Sequence, residues 1–231
     1  MTVAIKGAGI TKSYGKRRAL DGFDIEVPEY AITAILGPNG AGKSTFMRML
    51  TGMVEPDSGT LTVLGERPSW QNNRRISYLP DRARWYQGHT VEKAIEWGAR
   101  LLPEFRKDEA WELAGSLGLE ADLETEGMSK GQEARLMLAL CLAREVPLLI
   151  LDEPFSGIDM LSREKIVAAL IDSFSTRRQT VLICTHEIAE TESLFDHAVF
   201  VNDGRTALAG SVEDLRAERG SMQDIYRRIY G

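Results

Sequence analysis

The apolar run Ala31-Ile32-Thr33-Ala34-Ile35-Leu36 leads directly into Gly37-Pro38-Asn39-Gly40-Ala41-Gly42-Lys43-Ser44-Thr45. The run has the length and composition of a buried strand. The first eight residues after it, Gly37 to Ser44, fit G-x-x-x-x-G-K-[ST], and Thr45 to Thr51 has helical composition closed by Gly52. Strand, glycine loop, helix is the order that turns such a loop into a phosphate cradle. Glycines let the backbone curl, and successive N–H groups and the helix N-terminus then face the negative charge. Lys43 is expected to reach the β and γ phosphates and the Ser44 hydroxyl to ligate Mg²⁺. A glycine turn that merely joins two elements would not need the Lys-Ser pair.

Outward from this loop, the sequence alternates strands and helices, which implies a mostly parallel core sheet. Residues 2–35 read as short strands punctuated at Gly7–Gly9, Tyr14-Gly15-Lys16 and Asp21-Gly22, with Phe23, Ile25 and Val27 alternating with charged residues. Further strands are expected from Gly59 to Gly65, from Arg75 to Leu79, from Leu148 to Leu151 and from Thr180 to Cys184. Helical patterns occupy Val91 to Leu119, residues 132–144, and Ile166 to Phe174. A hairpin is expected around Asp203-Gly204, and Ser211 and Ser221 each precede an acid by three, the pattern of a capping box.

Composition narrows the function. A net charge of −6 weighs against a general nucleic-acid binder. The two cysteines, Cys141 and Cys184, sit in apolar segments and can build neither a disulfide framework nor a metal cluster. A reducing, cytoplasmic setting fits them. The N-terminus lacks the apolar core of a secretory signal. No uninterrupted apolar run approaches the roughly 18 to 20 residues needed to cross a bilayer, so at a membrane another chain would supply the spanning part.

A second acidic site follows the strand at Leu148-Leu149-Ile150-Leu151, which ends in Asp152-Glu153. Adjacent acids at the C-terminal end of a buried strand stand where α/β ligands bind. Asp152 can hold Mg²⁺, and Glu153 can orient or deprotonate an attacking water; the plainer reading has both acids capping the turn before Pro154. Ahead of the apolar helix lies Met128-Ser129-Lys130-Gly131-Gln132. With this segment the chain resembles the ABC ATPase family, whose signature reads Leu-Ser-x-Gly-Gln before such a helix. The resemblance covers nearly the whole chain, and the signature, the Asp152 strand and Ser156-Gly157-Ile158-Asp159 fall in the family's order.

The resemblance implies an α/β fold: a P-loop NTPase (RecA-like) core with an antiparallel β lobe and an inserted helical lobe. It implies one ABC ATPase domain over 1–231, with the β lobe near 1–36 and 55–72 and the core over 31–83 and 141–210. The helical lobe would fall at 84–140 and C-terminal helices at 211–231. ATP and Mg²⁺ are the implied cofactors. Two subunits, in a homodimer or a heterodimer, would meet head to tail. Ser129, Gly131 and the neighbouring Gln132 of one would face the γ-phosphate held by the other's Gly37–Thr45 loop. Asp159 would lie in the loop that crosses that interface. His186, after the strand Val181–Thr185, would touch the γ-phosphate and Glu153, and the Tyr14 ring would stack on adenine; a tyrosine packing the β lobe is the alternative. His89 and His197 match no motif.

Three positions, in two segments, depart from the family pattern. Tyr78-Leu79-Pro80 is followed by Asp81 where a glutamine is usual, and Met128 and Lys130 replace Leu and Gly of the signature. Asp81 offers Mg²⁺ an oxygen on a shorter side chain. The resemblance implies an ATP hydrolase that powers a separate transmembrane permease, expected to be for export given the small size, the Ser-Lys-Gly-Gln signature and the lack of a long C-terminal domain. It would sit in the cytoplasm, peripheral at the inner face of the membrane, with no nucleic-acid partner. Trp85 and Tyr86, if exposed, would join the permease-facing surface; packing under the helical lobe is the other reading. The rival function is a soluble ABC ATPase of translation or DNA maintenance. A phosphate-loop kinase would leave the signature segment without purpose.

Overall fold

The computed structural model describes residues 2–81, 83–186, 188 and 191–231. It divides into two compact units: Met1–Asn73 with Gln179–Gly231, and Arg74–Arg178.

In the first unit, β1 (Val3–Tyr14) and β2 (Arg17–Pro28) form a hairpin whose two-residue turn is Gly15-Lys16, and β4 (Ser58–Val63) adds to the other edge of β1. The glycines expected to break these strands bulge them instead. Gly9 and Gly22 take φ of 58° and 71°, and the pairing of β1 with β2 shifts register on either side of them. An extra residue in one strand bends the ladder without ending it, so both strands run for 12 residues. The apolar run is β3 (Ile32–Leu36), buried over its last four residues. It pairs in parallel with β7 (Thr180–Thr185) and with β8 (His197–Asn202). β9 (Arg205–Ser211) returns antiparallel on β8 through Asp203-Gly204, both at positive φ as that two-residue turn requires.

Helix α1 (Lys43–Leu50) follows the glycine loop. At the chain's end stand α6 (Val212–Arg219) and α7 (Met222–Tyr230), capped by Ser211 and Ser221. Each serine accepts the predicted backbone N–H, but the acid three residues on takes the serine hydroxyl, not the cap's own N–H. Aspartate is one methylene shorter than the glutamate of a reciprocal box.

The second unit holds a parallel pair, β5 (Ile76–Leu79) and β6 (Leu148–Asp152), with α2 (Val91–Leu101), α3 (Lys107–Ser116), α4 (Lys130–Leu142) and α5 (Met160–Thr176). Helix α5 begins six residues before the expected Ile166 because Asp159 caps it. Its first turns place Met160 and Leu161 on the exposed side and follow them with polar residues, so no apolar periodicity betrays them. Helix α4 likewise starts at Lys130, within the signature segment. Arg144 ties this unit together: its buried guanidinium donates to the carbonyls of Arg74, Ile76 and Pro103.

Candidate functional site

Each unit carries half of the expected machinery. In the first, the loop Gly37–Gly42 leaves β3 and enters α1 through Gly42 at φ 108°, a conformation closed to residues with a Cβ. No side chain caps α1, whereas Thr90, Ser129, Asp159, Ser211 and Ser221 cap other helices. The first N–H groups of a helix need acceptors from outside it, and their dipole favours an anion. The buried Lys43 folds back along the loop, donating to the carbonyl oxygens of Gly37 at 2.7 Å and Pro38 at 3.2 Å. Ser44 and Thr45 follow on the first turn, both half-buried, while Asn39 and Gly40 are exposed and Ala41 is buried.

The loop is buttressed from segments far away in sequence. Arg17 donates to Gly40 O at 3.2 Å, and the Gly204 N–H donates to Ala41 O. A Cβ on Gly42 would strike the Ala19 carbonyl. Sequence reasoning passed over Arg17, which carries no motif and reaches the loop only because β2 runs beneath it. Tyr14 stands at the tip of the same hairpin, 48% exposed, with the Lys12 ammonium 5.9 Å from its ring centroid. Tyr14 pairs with Arg17, the residue that reaches Gly40, and an exposed ring can stack on a planar base. His186 follows directly on Thr185, which pairs with Leu36, so it and Gly37 leave the ends of neighbouring parallel strands.

In the second unit, β6 delivers Asp152 buried and Glu153 at φ 52°, left-handed backbone that a residue with a Cβ adopts at a cost of roughly 1–2 kcal/mol. These two acids and Asp81 line one cavity of about 310 Å³, with Arg84, Lys130 and Glu133 on its walls. Arg84 pairs with Glu133 at 3.5 Å. The structure thus brings together the strand-end acids and two of the residues that depart from the family pattern, Asp81 and Lys130.

Ser129 caps α4 in a complete capping box: its hydroxyl accepts the Gln132 N–H, and Gln132 Oε1 accepts the Ser129 N–H. Gln132 therefore serves its own helix. Ser129 remains exposed at the helix head. Asp159 caps α5, accepting from Ser162 N at 2.8 Å and Ser162 Oγ at 2.7 Å, and these hydrogen bonds hold its carboxyl below the ordinary value. Gly131 lies against that cap. A Cβ there would stand 2.6 Å from Ser162 Oγ and 2.8 Å from Asp159 Oδ2. Signature turn and Asp159 loop are one packed junction, which sequence spacing did not reveal.

Trp85 is half-buried and donates Nε1–H to His89 Nδ1 at 3.1 Å, and the His89 ring stacks on Trp97. Tyr86 is 71% exposed. Of the two aromatics, only Tyr86 meets the condition of exposure. His89, unassigned from sequence, is a packing partner, and His197 opens β8.

A phosphate loop, a strand ending in paired acids and a signature-type turn on one chain define an ATP-hydrolysing cassette. The family model described as ABC transporter matches residues 20–156, and the chain belongs to that family as an ATP-binding subunit that hydrolyses ATP. Among its relatives, the daunorubicin/doxorubicin resistance ATP-binding protein DrrA of Streptomyces peucetius is 35% identical, across 95% of this chain and 69% of that one. The aliphatic sulfonates import ATP-binding protein SsuB 1 of Mesorhizobium japonicum is 31% identical, across 95% and 83%. The solved structure of an ATP-binding subunit of an ABC transporter superposes with a TM-score of 0.86 at 24% identity, covering 99% of this chain and all of that one. Import and resistance proteins stand together among these relatives, so family membership does not carry the direction of transport.

Proposed function

We propose that this chain is the motor of a transporter whose membrane-crossing part is a separate permease, and that it works as a pair of ATPase subunits closing head to tail over ATP. The observation that carries the reading is Ser129, exposed at the head of α4 while the chain also holds a complete phosphate loop. A signature turn on the surface serves a facing nucleotide, and a phosphate loop on the same chain makes each copy both donor and receiver. Among the described residues no helix is long and apolar enough to cross a membrane. The cytoplasmic, membrane-peripheral position therefore comes through the permease, with Tyr86 on the surface that meets it. The β2-β1-β4 sheet supports the β lobe of the three-part division, and α2 to α4 support the helical lobe.

Mg²⁺ fits the donor set. Ser44 offers a hydroxyl, and Asp152 and Asp81 offer carboxylates, all hard oxygen ligands. Among the described residues no three His, Cys, Asp or Glu side chains converge as a metal site, so the ion would arrive with the nucleotide, completed by phosphate oxygens. It would supply neutralisation of the transferring phosphoryl charge. Lys43 and the facing Ser129 add to that stabilisation, while Glu153 and His186 position the attacking water. Export is the direction we favour, supported by the 35% identical resistance protein.

The test is recovery of tagged Glu153→Gln protein with ATP from detergent-solubilised membranes of its own host, followed by mass spectrometry. An integral membrane protein in stoichiometric amount, weakened by adding Tyr86→Ala, supports the motor reading. A homodimer alone, or ribosomal or DNA-bound partners, moves the function to the non-transport ABC ATPases.

A further inference from the structure

Tyr230, the last residue of α7, reaches the base of the phosphate loop. Its hydroxyl donates to Val201 O at 2.8 Å and, in a three-centre arrangement, to Leu36 O at 3.2 Å. Leu36 and Phe200 pair across β3 and β8, so the hydroxyl spans the C-terminal ends of two neighbouring parallel strands. Met222 and Ile225, both buried, seat the helix, and the Tyr226 ring lies 4.4 Å from that of Tyr230, centroid to centroid. Burial pushes the Tyr230 hydroxyl well above its usual pKa, so it keeps its proton at any working pH.

The carbonyl it holds is the last before the loop. Leu36 C=O and Gly37 N–H are two ends of one rigid peptide plane, so fixing the oxygen fixes the tilt at which the chain enters the loop. The next carbonyl, Gly37 O, takes the Lys43 ammonium at 2.7 Å. Gly37 is also crowded from this side: a Cβ there would meet Val201 O at 2.5 Å and the Tyr230 hydroxyl at 3.3 Å. We propose that Tyr230 is a positioning residue for ATP binding, holding the entry peptide of the phosphate loop and, through Gly37, the resting place of Lys43. The inference rests on the phosphate-loop reading and links a helix at the far end of the sequence to nucleotide affinity.

The experiment titrates MgATP into the full chain by calorimetry and measures turnover beside it. Tyr230→Phe keeps the ring against Tyr226 and removes only the hydroxyl. The loss of one hydrogen bond predicts a Kd for MgATP raised about two- to tenfold, with turnover at saturating ATP within about twofold of the parent by the logic of a binding effect. Ile225→Val serves as the matched control. It loosens the same helix without touching the hydroxyl and is expected to lower the melting temperature and leave the Kd alone. An unchanged Kd for Tyr230→Phe, or an equal rise for Ile225→Val, overturns the assignment. Lys43→Ala separates this from the underlying reading: a Lys43→Ala chain that still binds ATP normally removes the phosphate loop itself from its role.

Discussion

Alanine at Gly131 puts a methyl group where the junction between α4 and the Asp159 cap has no room. Its Cβ would lie 2.6 Å from Ser162 Oγ, 2.8 Å from Asp159 Oδ2 and 3.2 Å from Ser162 Cβ. Contacts this short force a movement. Ser162 is 4% exposed and cannot swing into water, so the strain falls on the Asp159–Ser162 cap. Losing an N-cap costs about 1 kcal/mol and overpacking about 1–3 kcal/mol. The net destabilisation is about 2 kcal/mol, and in a domain of this size that lowers the melting temperature by roughly 4–8 °C. Scanning calorimetry reads the shift. MgATP affinity of the single chain is expected to stay unchanged, because Lys43 and its loop belong to the other unit, while steady-state hydrolysis falls. Adding Ser162→Ala removes the closest atom and frees the aspartate to turn. The double variant should be more stable than the sum of the two single losses by about 1 kcal/mol. A melting temperature for Gly131→Ala within about 1 °C of the parent, or strict additivity in the double variant, refutes the packed-junction argument.

Two further predictions concern the β1–β2 hairpin. Tyr14→Ala should raise the KM for ATP and GTP alike by several-fold while Tyr14→Trp restores it, since a stack is favourable for any base face; selective loss of one nucleotide contradicts the assignment. Asp57 accepts from Lys12 Nζ at 2.8 Å and from the Ser13 N–H at 2.7 Å, and these bonds hold its carboxyl below the ordinary 3.8. A depressed folded-state value means the unfolded chain binds more protons in that window, so the contribution is complete above about pH 4 and fades as pH falls through the lowered value. Urea midpoints measured from about pH 3 to 6 should show a shallower acid decline for Asp57→Asn than for the parent, and equal slopes would remove Asp57 from the account.

Much of this protein was legible in one dimension because its strongest signals are local. Gly37 to Thr45 declares itself by spacing, since a backbone that wraps a polyphosphate needs glycines and a lysine at fixed offsets. Leu148 to Asp152 does so by an unbroken apolar run, and Asp203-Gly204 by the positive φ its turn demands. Asp81 and Lys130 stood out as departures, but that they line one cavity comes from where β5 and α4 lie, which no spacing encodes.

What the chain order alone supplied was therefore the chemical reading: a glycine loop of phosphate-binding pattern, a strand that ends in paired acids, and the family to which the chain belongs. Only the tertiary structure decided how those residues are held. Arg17 under Gly40, Tyr230 beneath Leu36, and Ser162 against Gly131 join segments brought together by sheet pairing and helix packing. Their residue types are ordinary. A serine, a tyrosine or an arginine signals nothing until the fold sets a carbonyl or a missing Cβ opposite it, because hydrogen bonds and contacts depend on distances of a few ångströms and the sequence records only order.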